Sequence, residues 1–216
     1  MKYRGDSVTD LQAETDQTRR RYQRLSWIYD GLDWAFELKY RAWRADLWQS
    51  VEGKRVLEAG IGTGKNIPYF GLDHEVTGID LTPGMLRLAA RRARKHDSTV
   101  SLQLGDVQHL EFPNDSFDAA VATFVFCSVP DPVKGLSELR RVVKPGGTIY
   151  LLEHMRSPHE TVGKIMDFLN PVTACLMGVH INRQTIENVE ASGLKITSAH
   201  DMWAGGIYKR LTARVP

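Results

Sequence analysis

The 216-residue chain is 42% hydrophobic and carries a formal net charge of +2, enough apolar material for one self-supporting core and too little charge to mark a nucleic-acid binder. Its two cysteines, Cys127 and Cys175, exclude a disulfide framework and a thiolate metal cluster, and read as packed thiols in a reducing compartment. No run reaches the roughly 18–20 apolar residues of a membrane span, and residues 1–20 lack the apolar segment of a signal peptide, so a cytoplasmic chain is expected, with peripheral membrane association left open. Residues 1–18 are polar and aperiodic, as expected of a loose tail. Residues 19–48 then interleave Trp27, Trp34, Trp43, Trp48, Tyr22, Tyr29, Phe36 and Tyr40 with arginines and lysines. Trp34, Leu38 and Arg41 share one helical face, and Tyr40, Trp43 and Leu47 another, which predicts a helical cap. Aromatic rings among cations also suit a lipid headgroup layer, so a membrane surface is a possible partner of residues 19–48.

The rest of the chain is arranged around residues 55–64. Val56, Leu57 and Ala59 make a short buried strand, with Glu58 near its end, running into Gly60, Gly62 and Gly64. A helix is expected to begin near Lys65-Asn66-Ile67-Pro68, with free N–H groups facing whatever the glycines touch. A second apolar run, Val76-Thr77-Gly78-Ile79, ends in Asp80, an acid placed to accept from ribose hydroxyls. The Glu-x-Gly-x-Gly-x-Gly spacing differs from the dinucleotide fingerprint, and Glu58 would repel a diphosphate but suits a cation such as a methionine amino group.

Strand and helix patterns keep alternating, which implies right-handed crossovers and a parallel sheet. Thr82-Pro83-Gly84 opens a helix whose basic end, Arg91 to His96, suits the helix dipole. Val100 to Leu104 leads into Gly105-Asp106-Val107, and Phe117 to Phe124 reads as the fourth strand. Asp131-Pro132 starts a helix over 133–143, and Val143-Lys144-Pro145-Gly146-Gly147 turns into the strand 148–152. The stretch 155–182 breaks the alternation: it is apolar, Met-bearing and interrupted by Pro171 and Gly178, as expected of a lid over an acceptor pocket. Asn182 is placed to cap a helix ending near Ser192 with Gly193 at its C′ position, and 194–200 with 207–214 form a closing antiparallel pair.

Five of these motifs, in order over residues 55–154, resemble the class I S-adenosylmethionine-dependent methyltransferases. The resemblance implies an α/β fold: a Rossmann-like doubly wound seven-stranded sheet, mostly parallel with an antiparallel C-terminal strand, plus the N-terminal helical cap. Residues 1–50 would form tail and cap, and 51–216 one cofactor-binding unit with a lid insertion at 155–182. Carried over position by position, Glu58, Gly60, Gly62 and Gly64 would hold the methionine and ribose end of S-adenosylmethionine. Asp80 would take the ribose hydroxyls, Leu81 and Met85 would flank the adenine, Asp106 and Val107 would read its edge, and Thr123 with Phe124 would lie beneath the sulfonium.

Tyr22 to Asp30 further resembles the opening of the ubiquinone/menaquinone (UbiE-like) branch, which implies Tyr22 and Tyr29 as lid residues. Thr123 to Val129 and Leu152-Glu153-His154-Met155 are instead similar to a branch with membrane-associated thiol methyltransferases. The acceptor is therefore expected to be small and largely apolar: a quinone or aromatic carbon, a lipid amine such as phosphatidylethanolamine, or, alternatively, a thiol. Because the cofactor brings an activated methyl group, the protein mainly positions the acceptor, and a base is needed only where the acceptor loses a proton. His154, at the end of strand five, is the candidate base; His180 and Trp203 are further pocket candidates, and no metal site is expected. Two readings of other classes compete, a nicotinamide oxidoreductase and a non-catalytic domain that keeps the nucleoside as a structural ligand.

Overall fold

The computed structural model describes the backbone of residues 8–25 and 34–216; Trp27 and Tyr29, and the side chain of Trp34, lie outside the described residues. Seven strands form one sheet: β1 (Arg55–Ala59), β2 (Glu75–Asp80), β3 (Ser101–Leu104), β4 (Phe117–Thr123), β5 (Val143–His154), β6 (Lys195–Trp203) and β7 (Tyr208–Arg214). Their order is β3-β2-β1-β4-β5-β7-β6. Strands β1 to β5 pair in parallel, and β7 runs antiparallel to both β5 and β6. The expected architecture is the observed one. Winding reverses direction between β1 and β4, so the crevice beyond their carboxyl ends is where a ligand belongs.

The central strands are apolar on both faces because helices cover both. Leu57, Ala59, Ala120, Ala122, Ile149 and Leu151 pack toward Leu136, Leu139 and Val142 of α4 (Pro132–Val142) and Val189 of α6 (Thr185–Ala191). Val56, Ala119, Val121, Tyr150 and Leu152 alternate with them and meet Tyr40, Trp43, Leu47 and Trp48 of α2 (Trp34–Gln49). These aromatic residues of the cap are thus core, which removes them from any lipid-facing surface.

Several local expectations are corrected. Residues 8–18 are not a loose tail but most of helix α1 (Val8–Leu25), which lies beside α3 (Pro83–Lys95) and lines the central cleft through Thr18 and Tyr22. No full helix succeeds the glycine turn; Ile67–Tyr69 is one 3₁₀ turn. Within the basic end of α3, Arg92 reaches back to the Thr63 carbonyl (2.8 Å) and hydroxyl (3.0 Å), so it buttresses that turn as well as suiting the helix dipole. Asn182 caps nothing: α6 begins after Gln184, while Asn182 donates to Asp167 (2.9 Å). Pro171 does not interrupt α5 (Glu160–Met177), which costs only one ladder bond there and ends at Gly178, left-handed at φ +71°. Cys127 is packed as expected, but Cys175 is exposed, against the expectation that both are packed.

Candidate functional site

A cavity of about 540 Å³ opens at the carboxyl ends of β1, β2, β4 and β5. Glu58, Gly60, Gly62, Asp80, Leu81, Met85, Asp106, Val107, Thr123, Phe124, Tyr22 and His154 all line it. Gly64, His180 and Trp203 do not. Gly64 serves packing: at φ +80° a Cβ would lie 2.6 Å from Ile67 Cδ1 and 3.1 Å from the Ala89 backbone. His180 is half-buried, with Nδ1 3.3 Å from Asn170 Nδ2, and Trp203 lies under the Lys39 ammonium at 3.6 Å from its ring centroid. Gly62 is different again. At φ +56° its missing Cβ faces open cleft, so backbone can approach a ligand closely there.

At one end of the cleft Glu58 is fully enclosed, and burial pushes its carboxyl up to about 8. Its Oε1 accepts from Asn66 Nδ2 at 2.6 Å, whereas Oε2 is buried with no hydrogen-bond partner among the described residues. A buried acceptor atom left open costs on the order of 1–3 kcal/mol, and a cationic donor entering the cleft would satisfy it. Asn66 also donates to Thr123 Oγ1 (3.0 Å) and accepts from Arg44 (2.8 Å). Arg44 is buried too and lines the cleft, with its Nε ion-paired to Glu37 Oε1 at 3.7 Å. Asn66 in the turn is thus the hub that joins Arg44 of the cap, Glu58 of β1 and Thr123 of β4.

Asp80 is held ready rather than spent. Its Oδ1 accepts from the Thr82 N–H (2.9 Å) and hydroxyl (2.6 Å), and Oδ2 from the Gly62 N–H (3.0 Å). A carboxylate has about four acceptor positions, so capacity remains on Oδ2. Burial raises the Asp80 carboxyl, and those donors oppose the shift. Asp106 accepts from the Gln108 N–H (2.9 Å) and side-chain amide, while Gln108 Oε1 accepts from the Asp131 N–H (2.9 Å).

Beside this network the wall is aromatic, with the Arg44 guanidinium 5.5 Å from the Phe124 ring centroid. Phe124, Tyr40 and Tyr208 pack with ring centroids 4.9–6.2 Å apart, and the Tyr40 hydroxyl donates to Tyr208 (3.2 Å). Phe124 sits at φ +58°, a strained conformation for a side chain of its size. The loop that bears it is pinned by buried Glu153, whose Oε1 accepts from the Val125 (2.8 Å) and Phe126 (3.0 Å) N–H groups. Beside it His154 pairs across the ladder with Tyr208. Burial lowers its imidazole to about 4, so it stays neutral, and Nε2 has no partner among the described residues. Burial likewise pushes the Cys127 thiol up, away from thiolate character. Among the described residues no group of three His, Cys, Asp or Glu side chains is arranged to hold a metal.

Sequence reasoning missed Arg44, Asn66 and Tyr208. Their roles come from tertiary neighbours; only the position of Asn66, just past the glycines, was a hint.

The fold and the cleft define a nucleoside-binding methyltransferase of the Rossmann-like class, and the comparisons agree. Residues 57–151 match the family described as "Methyltransferase domain". The chain is 34% identical over 144 residues to a phosphatidylethanolamine N-methyltransferase of Cereibacter sphaeroides, covering 65% of this chain and 70% of the relative. It is 32% identical over 155 residues to a demethylmenaquinone methyltransferase of Staphylococcus haemolyticus (strain JCSC1435), covering 68% of this chain and 64% of that protein's length. Among solved structures, a SAM-dependent methyltransferase from Aquifex aeolicus superposes with a TM-score of 0.60 at 20% identity, over 77% of this chain and 84% of that one. The chain belongs to the S-adenosylmethionine-dependent methyltransferases, and its cofactor is S-adenosylmethionine. These findings set aside the nicotinamide oxidoreductase.

Proposed function

We propose that the chain transfers the methyl group to a lipid-like acceptor, a lipid amine or the ring carbon of a quinol. One observation carries this reading: Glu58 and His154, each with a buried side-chain atom that has no hydrogen-bond partner among the described residues, line one cleft together with the aromatic rings of Tyr40, Phe124 and Tyr208. When bound, the cofactor supplies an electrophilic methyl on a sulfonium. Glu58 would accept from its amino group, and Arg44 with Lys65 would meet its carboxylate. Asp80 would hold the ribose through Oδ2, Leu81 and Met85 would enclose the adenine, and Asp106 with Val107 would face its edge.

The wall of Tyr40, Phe124 and Tyr208 would orient an apolar acceptor and exclude water. His154, neutral at physiological pH, can take the proton an amine or ring carbon releases, at Nε2. Tyr22, on α1 and lining the cleft, would cover the bound pair, and the stretch 155–182 would act as the lid, since Thr173, Val179 and Ile181 reach the same cavity. The two relatives named above act, by their names, on one acceptor of each kind. A radiolabelled-methyl assay across phosphatidylethanolamine, demethylated menaquinol and alkyl thiols tests the reading. Label on either lipid supports it; label on the thiol alone overturns it in favour of a thiol S-methyltransferase, and cofactor binding with no labelled product indicates a non-catalytic domain.

A further inference from the structure

Helix α5 has its amphipathicity turned outward. At about 100° per residue, Val162, Ile165, Phe168, Leu169 and Val172 fall within an arc of roughly 120°. All five are exposed: Phe168 by 82%, Val172 by 55% and Ile165 by 54%. Scattered exposed apolar residues need no explanation, but five on one helix face do. The opposite face anchors the helix, with Met166 buried against the Ser157 N–H and Asn170 against His180.

We infer that this face docks on an anionic membrane surface and sets the acceptor end of the cleft against the lipid, an inference that rests on the lipid-like acceptor proposed above. The charge around the face suits that partner. Arg21 of α1 donates to the Cys175 carbonyl at 2.9 Å, which brings the basic end of α1, with exposed Arg20 and Arg24, beside the C-terminal half of α5. The acids on α5 are occupied: Asp167 is held by Arg156 (3.1 Å) and Asn182, and Glu160 lies 3.6 Å from both Arg156 and Lys164. Apolar side chains flanked by guanidinium groups fit acyl chains below anionic headgroups.

Position links docking to chemistry. Thr173 of α5, Val179 and Ile181 just beyond it, and Thr18 and Tyr22 of α1 line the cleft, so the two helices that would touch lipid also bound the acceptor's path. No described helix is long and apolar enough to cross a membrane, so the face would lie on the surface. The docking element is therefore α5, rather than Tyr40, Trp43 and Trp48 of α2, which are buried.

Flotation of the full chain with phosphatidylcholine vesicles, with and without phosphatidylglycerol, tests this. The wild type should float with anionic vesicles and less so as salt rises. Phe168→Asp combined with Val172→Asp should lower that partition by at least roughly tenfold, and Arg20→Glu with Arg24→Glu should abolish the preference for phosphatidylglycerol. Both variants should keep the wild-type melting temperature and affinity for S-adenosylhomocysteine, because the changed residues are exposed. Wild type remaining at the bottom of the gradient at low salt, variants floating like the wild type, or a wild-type dimer dissolved by Phe168→Asp would each overturn the inference. Methylation of a short-chain, detergent-solubilised acceptor separates the two claims: docking without any methylated lipid sinks the acceptor reading, and methylation without docking sinks this one.

Discussion

Glu58→Gln tests the proposal that cofactor recognition depends on the Glu58 charge. Glutamine keeps the carbonyl that accepts from Asn66 and nearly the same volume, but it cannot ionise. The buried carboxyl of the wild type titrates near 8, raised from 4.5 by burial, so about half is ionised at pH 8 and about 1% at pH 6. An ammonium group needs the ionised form. A hydrogen bond to a charged group is worth about 1.5–3 kcal/mol, roughly 10- to 150-fold in affinity. Wild-type affinity for S-adenosylhomocysteine should therefore exceed that of the variant by one to two orders of magnitude at pH 8. The advantage should shrink by roughly fifty-fold at pH 6, where binding must first ionise the carboxyl.

Calorimetry at both pH values, in buffers of different ionisation enthalpy, should also show the wild type releasing a proton on binding near pH 7 and the variant none. Stability moves the opposite way. A folded-state value raised above 4.5 makes burial free of charge below pH 4.5, and stability is then lost as pH rises toward about 8. The ligand-free variant should thus be the more stable protein at pH 7, by at most on the order of 3 kcal/mol, and the gap should close near pH 4.5. Equal affinities of wild type and variant at pH 8, or an affinity ratio unchanged between pH 6 and 8, refutes the assignment of Glu58 to the cofactor's amino group.

Gly62→Ala forces a side chain into left-handed backbone and into the open cleft, so it should cost about 1–2 kcal/mol of stability and weaken S-adenosylhomocysteine binding disproportionately. Melting with and without ligand separates the two effects, and an unchanged ligand-induced rise in melting temperature argues against close approach at Gly62. Asn66→Ala strips partners from Glu58, Arg44 and Thr123 at once and should cost about 1–3 kcal/mol for each buried group left unpaired, measured by urea unfolding. His154→Gln should cut methyl transfer by about 10²–10⁴-fold with cofactor affinity intact. Because burial holds the imidazole near 4, wild-type turnover should lose this base only as pH falls toward 4; an acid limb at pH 6–7 that vanishes in the variant would contradict the buried, neutral ring.

Local sequence dictates the sheet and the acids that line the cleft at its strand ends. Apolar runs at β1, β2, β4 and β5, each closed by glycine, acid or turn residues, allow one solution once helices must cover both faces. Glu58, Asp80 and Asp106 were legible because an acid at a strand end has few structural uses. Long-range packing supplies the rest. Arg44 and Asn66 lie 22 residues apart and meet because α2 crosses the sheet beside the glycine turn. Helix α1 has too little apolar periodicity to announce itself, since it is held by a few contacts with α3 and the cleft rather than by a broad hydrophobic face. The Met-bearing stretch 155–182 read as lid because its composition is apolar; only packing showed that its apolar side points outward. Strand pairing follows from local pattern, whereas the facing of a helix and the partner of a buried charge are settled by which distant residues arrive beside them.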